Sequence, residues 1–178
     1  MIRLFAAIAV PEHIGEGLVR HQVGLDGARW RPPEAFHITL RFVGDVAENR
    51  AQDLDSELSV VGGEPFDLTL SGVGAFGEGA DVHAIWAGVE DSPAVKRLAA
   101  RCESAARRAG LGPDSRAYKP HVTLAYLRRP DPAKVAAWIQ GHNLLKSPSF
   151  RVMGFGLFSS WQTDAGSTYR EEAHYPLG

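Results

Sequence analysis

The 178-residue chain has one cysteine, little net charge and no long apolar run. The single Cys102 excludes an intramolecular disulfide and a metal site built from several cysteines, and it fits a reducing compartment. A formal net charge of −2 excludes nucleic-acid binding by bulk electrostatics, although a terminus or a short segment can still be gripped. No stretch approaches the length of a transmembrane helix. We therefore expect a cytoplasmic protein without membrane association.

The chain also lacks the histidine spacings that are typical of metal sites. Its seven histidines include no His-x-His pair, and no His-x-x-x-His pair with a nearby carboxylate. Because zinc sites are built from such closely spaced ligands, we expect no metal site.

Apolar periodicity predicts a mixed α and β chain, and a hydrophobic fraction of 44% is enough for a full core. The predicted strands cover residues 2–10, 35–43, 65–75, 82–90, 120–127, 148–158 and 167–176. The predicted helices cover residues 11–25, 47–61, 93–109 and 132–140, with Ser92 and Gly110 capping the third and Gly141 ending the fourth. A helix followed by a histidine-bearing strand occurs twice. We expect residues 1–178 to form one bilobal domain whose duplicated halves bring these two strands together.

The two histidine-bearing strands share a four-residue pattern, His37–Leu40 and His121–Leu124. Because side chains alternate along a strand, each pattern presents an imidazole, a hydroxyl and a cation on one face. The two polar sets are His37, Thr39 and Arg41 on the first strand, and Lys119, His121 and Thr123 on the second. The same alternation turns Tyr126 toward the apolar face.

Two imidazoles and two hydroxyls in one cleft suit cleavage of a phosphodiester. A neutral imidazole takes a proton from water while a protonated one gives a proton to the leaving oxygen. Threonine hydroxyls donate hydrogen bonds to phosphate oxygens, and Arg41 or Lys119 balances the charge. One motif alone fits a strand histidine held by a backbone carbonyl, but the repetition favours the paired site.

A glycine-rich segment, Gly72–Gly77, matches the dinucleotide-binding pattern G-x-G-x-x-G. That pattern must lead from a strand into a helix, whereas here it leads into a second strand. We therefore expect a β-hairpin and no dinucleotide site. Its Phe76 is a candidate ring for stacking on a base, as is Tyr126, and Trp30–Pro33 can edge the cleft.

The paired H-x-T-x motifs resemble those of the two-histidine (2H) phosphoesterase superfamily, in particular its RNA 2′,3′-cyclic phosphodiesterase branch, long called 2′-5′ RNA ligase. The similarity runs along nearly the whole chain. Besides the motifs, it is carried by Arg3–Ala6, Pro33–Phe36, Gly72–Phe76, Pro120, Leu157–Ser160, Tyr169 and Pro176–Gly178.

The resemblance implies an α+β fold, a bilobal duplicated unit in which two antiparallel sheets flank a central cleft with helices on the outside. It implies no metal ion and no other cofactor. The implied reaction hydrolyses a terminal 2′,3′-cyclic phosphate on RNA to a 2′-phosphomonoester. By motif position, His37 is the acid on the 3′ leaving oxygen, His121 is the base on water, and Thr39 and Thr123 contact the phosphate. A ligase running in reverse exchanges the roles of the histidines.

One position departs from the family pattern. Several relatives carry an arginine five residues after the second histidine, where it helps to hold phosphate, and this chain has Tyr126 there. Either another cation such as Arg41 helps to hold the phosphate, or the substrate is bound differently.

Other activities also fit the residues. A 2H enzyme can act on small cyclic nucleotides, hydrolyse ADP-ribose 1″,2″-cyclic phosphate or join RNA reversibly through a 2′-5′ bond. A non-catalytic module that binds RNA ends is a further alternative, although binding alone does not need two proton-transfer groups. Nothing in the sequence indicates an obligate protein partner.

Overall fold

The computed structural model covers residues 1–178 and contains ten strands and four α-helices. In chain order the elements are β1 (Ile2–Ala9), α1 (Glu12–Val19), β2 (Arg29–Trp30), a 3₁₀ turn (Pro33–Ala35), β3 (His37–Val46), α2 (Glu48–Ser59), β4 (Phe66–Leu68), β5 (Leu70–Phe76), a 3₁₀ turn (Gly79–Asp81), β6 (Ala84–Val89), α3 (Pro93–Arg108), β7 (His121–Tyr126), α4 (Pro132–His142), β8 (Phe150–Val152), β9 (Gly154–Thr163) and β10 (Gly166–Pro176).

Two four-stranded antiparallel sheets form the frame, in the orders β10-β9-β1-β3 and β2-β7-β6-β5. The sheets meet where β3 lies beside β7, and the Tyr118 hydroxyl donates to the Thr39 carbonyl at 3.0 Å across this junction. Helices α2 and α3 pack on each other and on the first sheet, and α4 packs on β5 of the second. The predicted fold class, α+β with two antiparallel sheets and outer helices, is confirmed.

One apolar core of 38 buried residues joins the two sheets to their helices. Helix α3 contributes most of its inner face to this core, and its start is as predicted. Ser92 caps it by accepting from the Val95 amide at 3.2 Å, and Pro93 occupies the first turn. Cys102 is fully buried on the same helix, and burial raises the pKa of its thiol to about 12. A thiol that stays protonated is not reactive, so Cys102 serves packing.

Some predicted boundaries are wrong. The strands predicted over residues 65–75 and 148–158 are each split in two, because β4 leaves the main sheet and pairs with β8. The first helix ends at Val19 rather than near residue 25. Gly141 does not end α4 but lies inside it, where a glycine costs only about 1 kcal/mol relative to alanine. The two-residue strand β2 was not predicted.

An extra residue in β3 changes which side chains face the junction between the sheets. Thr39 pairs with Ala7 and Arg41 pairs with Ala6, the preceding residue of β1, so Leu40 is inserted as a β-bulge. Leu40 and Arg41 both turn inward as a result, and Phe42 is 42% exposed. The prediction that Arg41 shares a face with the motif histidine and threonine is therefore wrong.

Strand β7 contains a matching bulge. Thr123 pairs with Trp86 and Ala125 pairs with the preceding residue of β6, so Leu124 is the inserted residue. Leu124 and Ala125 are both fully buried, whereas Tyr126 is 37% exposed. The prediction that Tyr126 faces the apolar core is wrong for the same reason.

The glycine-rich segment forms strand β5 and the turn into β6, so the predicted hairpin is confirmed. Gly74 pairs with Trp86, and the indole of Trp86 lies directly over the Gly74 backbone. A side chain at position 74 would overlap that ring. No helix of the fold is both long enough and apolar enough to cross a membrane.

We expect Gly74→Ala to lower the free energy of unfolding by about 1–3 kcal/mol, because the added methyl displaces Trp86 from a tightly packed position. Urea denaturation monitored by circular dichroism measures this. The control is Gly141→Ala, since Gly141 faces open space within a helix and its replacement should stabilise by about 0.5–1 kcal/mol. Equal effects of both substitutions would contradict the packing role of Gly74.

Candidate active site

Each motif histidine is anchored by the same hydrogen bond. His37 Nδ1 lies 2.8 Å from the carbonyl oxygen of Ala35, and His121 Nδ1 lies 2.7 Å from that of Lys119. A carbonyl oxygen can only accept, so both Nδ1 atoms carry the hydrogen. In a neutral imidazole this leaves Nε2 as a lone-pair acceptor. No protein group hydrogen-bonds to either Nε2.

The two anchored histidines belong to one site at the junction of the sheets. Their strands β3 and β7 are in contact, and a positive charge on His121 would lower the pKa of His37. Thr39 and Thr123, two residues further along each strand, are half-buried, and no protein group hydrogen-bonds to either hydroxyl. The site therefore offers two free Nε2 atoms and two free hydroxyls.

Aromatic rings enclose His37. The Phe5 ring centroid lies 4.7 Å from the imidazole, and Tyr169 approaches it edge-on at 5.0 Å. This burial is the main cause that lowers the pKa of His37 to about 4; the Ala35 carbonyl opposes it, and the charges of His121 and Arg31 add to it. His37 is therefore neutral at pH 7 when the site holds no anion.

His121 has a comparable but more open environment. Phe76 meets its ring edge-on at 4.7 Å, and Trp86 lies at 6.1 Å. Burial lowers the pKa of His121; the Lys119 carbonyl opposes this shift and the Lys119 ammonium adds to it. That ammonium lies over the Trp86 ring, 4.6 Å from its centroid. A cation therefore stands close to His121.

Arg41 lies outside this site. Its guanidinium forms an ion pair with Glu103 and donates to the carbonyls of Phe42 and Gly112. The β-bulge at Leu40 is the reason, because it turns Arg41 toward helix α3, which carries Glu103. The structure thus brings together His37, Thr39, His121, Thr123, Lys119 and Phe76 from the predicted set, and leaves Arg41 elsewhere.

Sequence reasoning missed several residues that line the site. Phe5 and Tyr169 come from β1 and β10, and Arg31 from the segment between β2 and the first 3₁₀ turn. The Arg31 guanidinium lies over the rings of Tyr126 and Tyr169, at 5.7 and 5.4 Å from their centroids. The signal for Arg31 is its place in Trp30–Pro33, the segment that the sequence predicts at the edge of the cleft. Nowhere in the fold do three His, Cys, Asp or Glu side chains cluster as metal ligands would.

The sequence and the fold both match known proteins. The family model described as the 2′-5′ RNA ligase superfamily matches residues 11–163. A protein of Archaeoglobus fulgidus named RNA 2′,3′-cyclic phosphodiesterase is 30% identical over 173 residues, which are 96% of this chain and 97% of that protein. A protein of the same name from Methanothermobacter thermautotrophicus is 28% identical over 177 residues, 96% of each chain.

Solved structures of two bacterial proteins share the fold. TT0787 of Thermus thermophilus superposes with a TM-score of 0.82 at 24% identity, covering 99% of this chain and 98% of that one. LigT of E. coli complexed with 3′-AMP superposes with a TM-score of 0.80 at 25% identity, covering the same shares.

The depressed pKa of His37 predicts how stability depends on pH. Between about pH 6.5 and 4 the unfolded chain binds a proton at position 37 and the folded chain does not. The stability contributed by neutral His37 is complete above pH 6.5 and is lost as the pH falls toward 4. His37→Gln removes this titration. The stability of the wild type relative to this variant should therefore fall with decreasing pH, by at most about 1.4 kcal/mol per unit.

Urea denaturation at half-unit pH steps measures this difference. The exposed His13 provides the matched control, since His13→Gln should track the wild type at every pH. A constant difference between the wild type and His37→Gln from pH 7 to 4 would refute the buried, neutral state of His37.

Proposed function

Because the chain belongs to the 2′-5′ RNA ligase superfamily, we propose that it hydrolyses a 2′,3′-cyclic phosphate at the 3′ end of RNA to a 2′-phosphomonoester. The observation that carries this proposal is the pair of histidines in one site, each held through Nδ1 with Nε2 free. The names of the archaeal relatives support the substrate. The same proposal places the reaction in the cytoplasm, on free RNA ends and without a partner protein.

The reaction needs one proton removed and one proton supplied. His121 Nε2 takes a proton from water as the water oxygen bonds to phosphorus. His37, protonated on Nε2, gives its proton to the 3′ oxygen as the bond from phosphorus to that oxygen breaks. Each transfer is typically worth about 10²–10⁴-fold in rate. The two imidazoles account for both transfers, so the proposal requires no metal ion and no other cofactor.

Substrate binding brings a negative charge into the site, and this charge favours protonation of His37. Burial and nearby cations keep both imidazoles neutral, whereas the acid must enter the reaction protonated. The cyclic phosphate carries one negative charge, and a nearby opposite charge favours the protonated imidazole. Protonation of His37 is therefore coupled to the arrival of the phosphate.

The remaining groups of the site hold the substrate. The free hydroxyls of Thr39 and Thr123 donate to the non-bridging phosphate oxygens. Lys119 adds positive charge on the His121 side. Phe76 and Tyr126, which flank the histidine site, offer rings on which a base can stack.

The direct test is incubation with an RNA oligonucleotide that ends in a 2′,3′-cyclic phosphate, in the presence of EDTA. We expect a 2′-phosphate product, and we expect His37→Ala and His121→Ala each to reduce turnover by at least ~10²-fold. His174→Ala is the control, because this exposed histidine contacts Glu171 rather than the site, and it should match the wild type. Near-wild-type turnover in either site variant would remove that histidine from the mechanism, and a requirement for added divalent metal would contradict the metal-free reaction.

A substrate panel separates the alternatives. Faster turnover of ADP-ribose 1″,2″-cyclic phosphate or of a small cyclic nucleotide would move the assignment to that substrate. Accumulation of 2′-5′ linked RNA from a cyclic-phosphate end and a 5′-hydroxyl end would identify a ligase. Binding without turnover, unchanged by His37→Ala, would identify a module that only binds RNA ends.

The pH dependence of kcat/KM follows from the two lowered pKa values. This parameter reports the free protein, in which one histidine must be protonated and the other neutral. Both pKa values lie below 6.5, so the optimum of kcat/KM should lie on the acid side of pH 6.5. The kcat profile should lie at higher pH, since the bound phosphate raises both values. An optimum of kcat/KM above pH 7 would contradict this protonation scheme.

A further inference from the structure

Two arginines of this fold are equally buried but differ in how their charge is balanced. Arg31 and Arg41 are both 8% exposed. Arg41 is ion-paired with Glu103, whereas no carboxylate lies within ion-pair distance of Arg31. A buried cation without a counter-charge is costly, and a site that keeps one is suited to an anion from outside.

The backbone and head group of Arg31 are held in a fixed position. Its amide donates to the Leu124 carbonyl at 2.8 Å, and its own carbonyl accepts from Gln22 Nε2 at 2.7 Å. One guanidinium nitrogen, Nη2, donates to the Ser167 carbonyl at 2.8 Å. No protein acceptor takes the hydrogens of Nε or Nη1, and neither atom is sealed from solvent. The guanidinium is thus positioned with donors to spare.

The ring of Tyr169 connects this guanidinium to His37. Tyr169 contacts both groups, with its ring 5.4 Å from the guanidinium carbon and 5.0 Å from the imidazole centroid. Tyr126 contacts the guanidinium from the other sheet at 5.7 Å. The charge of Arg31 reaches His37, since it contributes to the lowered pKa of that imidazole. Arg31 therefore lies beside the acid of the proposed reaction.

Tyr126 stands five residues after His121 and brings no charge to the site. The bulge at Leu124 leaves Tyr126 partly exposed beside the site, where its ring packs on Arg31 instead of supplying charge.

We propose that Arg31 binds the phosphate group of the substrate through the guanidinium hydrogens that no protein acceptor takes, and so supplies a cation on the His37 side of the site. The proposal rests on the proposed function for the identity of the substrate, but the binding of a phosphate anion can be measured without turnover. In the planar guanidinium one hydrogen of Nη2 lies parallel to Nε–H and the other lies parallel to a hydrogen of Nη1. The Nη2 hydrogen that the Ser167 carbonyl does not take therefore completes a two-pronged contact with phosphate, which an ammonium does not match.

The test compares Arg31→Met, Arg31→Lys and two control variants. Arg29→Met removes an exposed arginine of the same segment, and Lys119→Met removes the cation beside His121. Inorganic phosphate is titrated into each protein while the His37 and His121 imidazole signals are followed by NMR, and kcat/KM is measured on the cyclic-phosphate RNA.

We expect Arg31→Met to weaken phosphate binding and to lower kcat/KM, each by roughly 10- to 100-fold. Arg31→Lys should lose less phosphate affinity and less kcat/KM, because it keeps the positive charge but not the planar arrangement of donors. Arg29→Met should match the wild type in both. In the absence of phosphate the pKa of His37 should rise in Arg31→Met. Phosphate should raise the melting temperature of the wild type more than that of Arg31→Met.

Unfolding data separate binding from a structural role. Arg31→Met loses the hydrogen bond to the Ser167 carbonyl but also removes a buried charge that no carboxylate balances, so the phosphate-free variant should melt close to the wild-type temperature. Wild-type phosphate affinity in Arg31→Met and Arg31→Lys would overturn the proposal, even if turnover fell. Loss of binding in Lys119→Met alone would overturn it in favour of Lys119. If the wild type fails to cleave the RNA but phosphate binding still depends on Arg31, the proposed function is wrong and the anion site stands.

Discussion

The candidate site depends on one hydrogen bond that the fold makes twice, from a histidine Nδ1 to the carbonyl two residues before it. Different local sequences produce it. Before His37 a 3₁₀ turn presents the Ala35 carbonyl, and before His121 the extended conformation that Pro120 favours for Lys119 presents that residue's carbonyl. In both places the bond fixes the tautomer and leaves Nε2 without a protein partner. All of the proposed proton chemistry follows from this arrangement.

The two β-bulges decide what surrounds these histidines. Each inserts a leucine directly after the motif threonine, so two consecutive residues turn inward and the next is left exposed. On β3 this buries Arg41 against Glu103. On β7 it sets Tyr126 beside the site, where the ring packs on Arg31. The charge of Arg41, which strict alternation assigns to the site, therefore lies outside it. The charge of Arg31 lies near His37 instead.

Much of the fold and part of the site could be predicted from the sequence, because those features are determined by residues that are close together in the chain. The cap at Ser92, the glycine-rich hairpin and the spacing of His37 and Thr39 involve neighbouring residues. The bulges could not be predicted, because an inserted residue is defined only by the partner strand. The surroundings of Arg31 could not be predicted for a similar reason, since Tyr126 and Tyr169 approach it from distant parts of the chain. The predicted contact of Arg41 failed because it relied on unbroken alternation.

The claim that both histidines are held through Nδ1 is tested most directly by determining their tautomers. These can be obtained from ¹⁵N NMR couplings of uniformly labelled, phosphate-free protein at pH 7. The two Nδ1 hydrogen bonds predict that His37 and His121 are both neutral and that both carry their hydrogen on Nδ1, with Nε2 unprotonated. A hydrogen on Nε2 in the neutral form of either ring, or a positive charge on His37 in the absence of an anion, would contradict it.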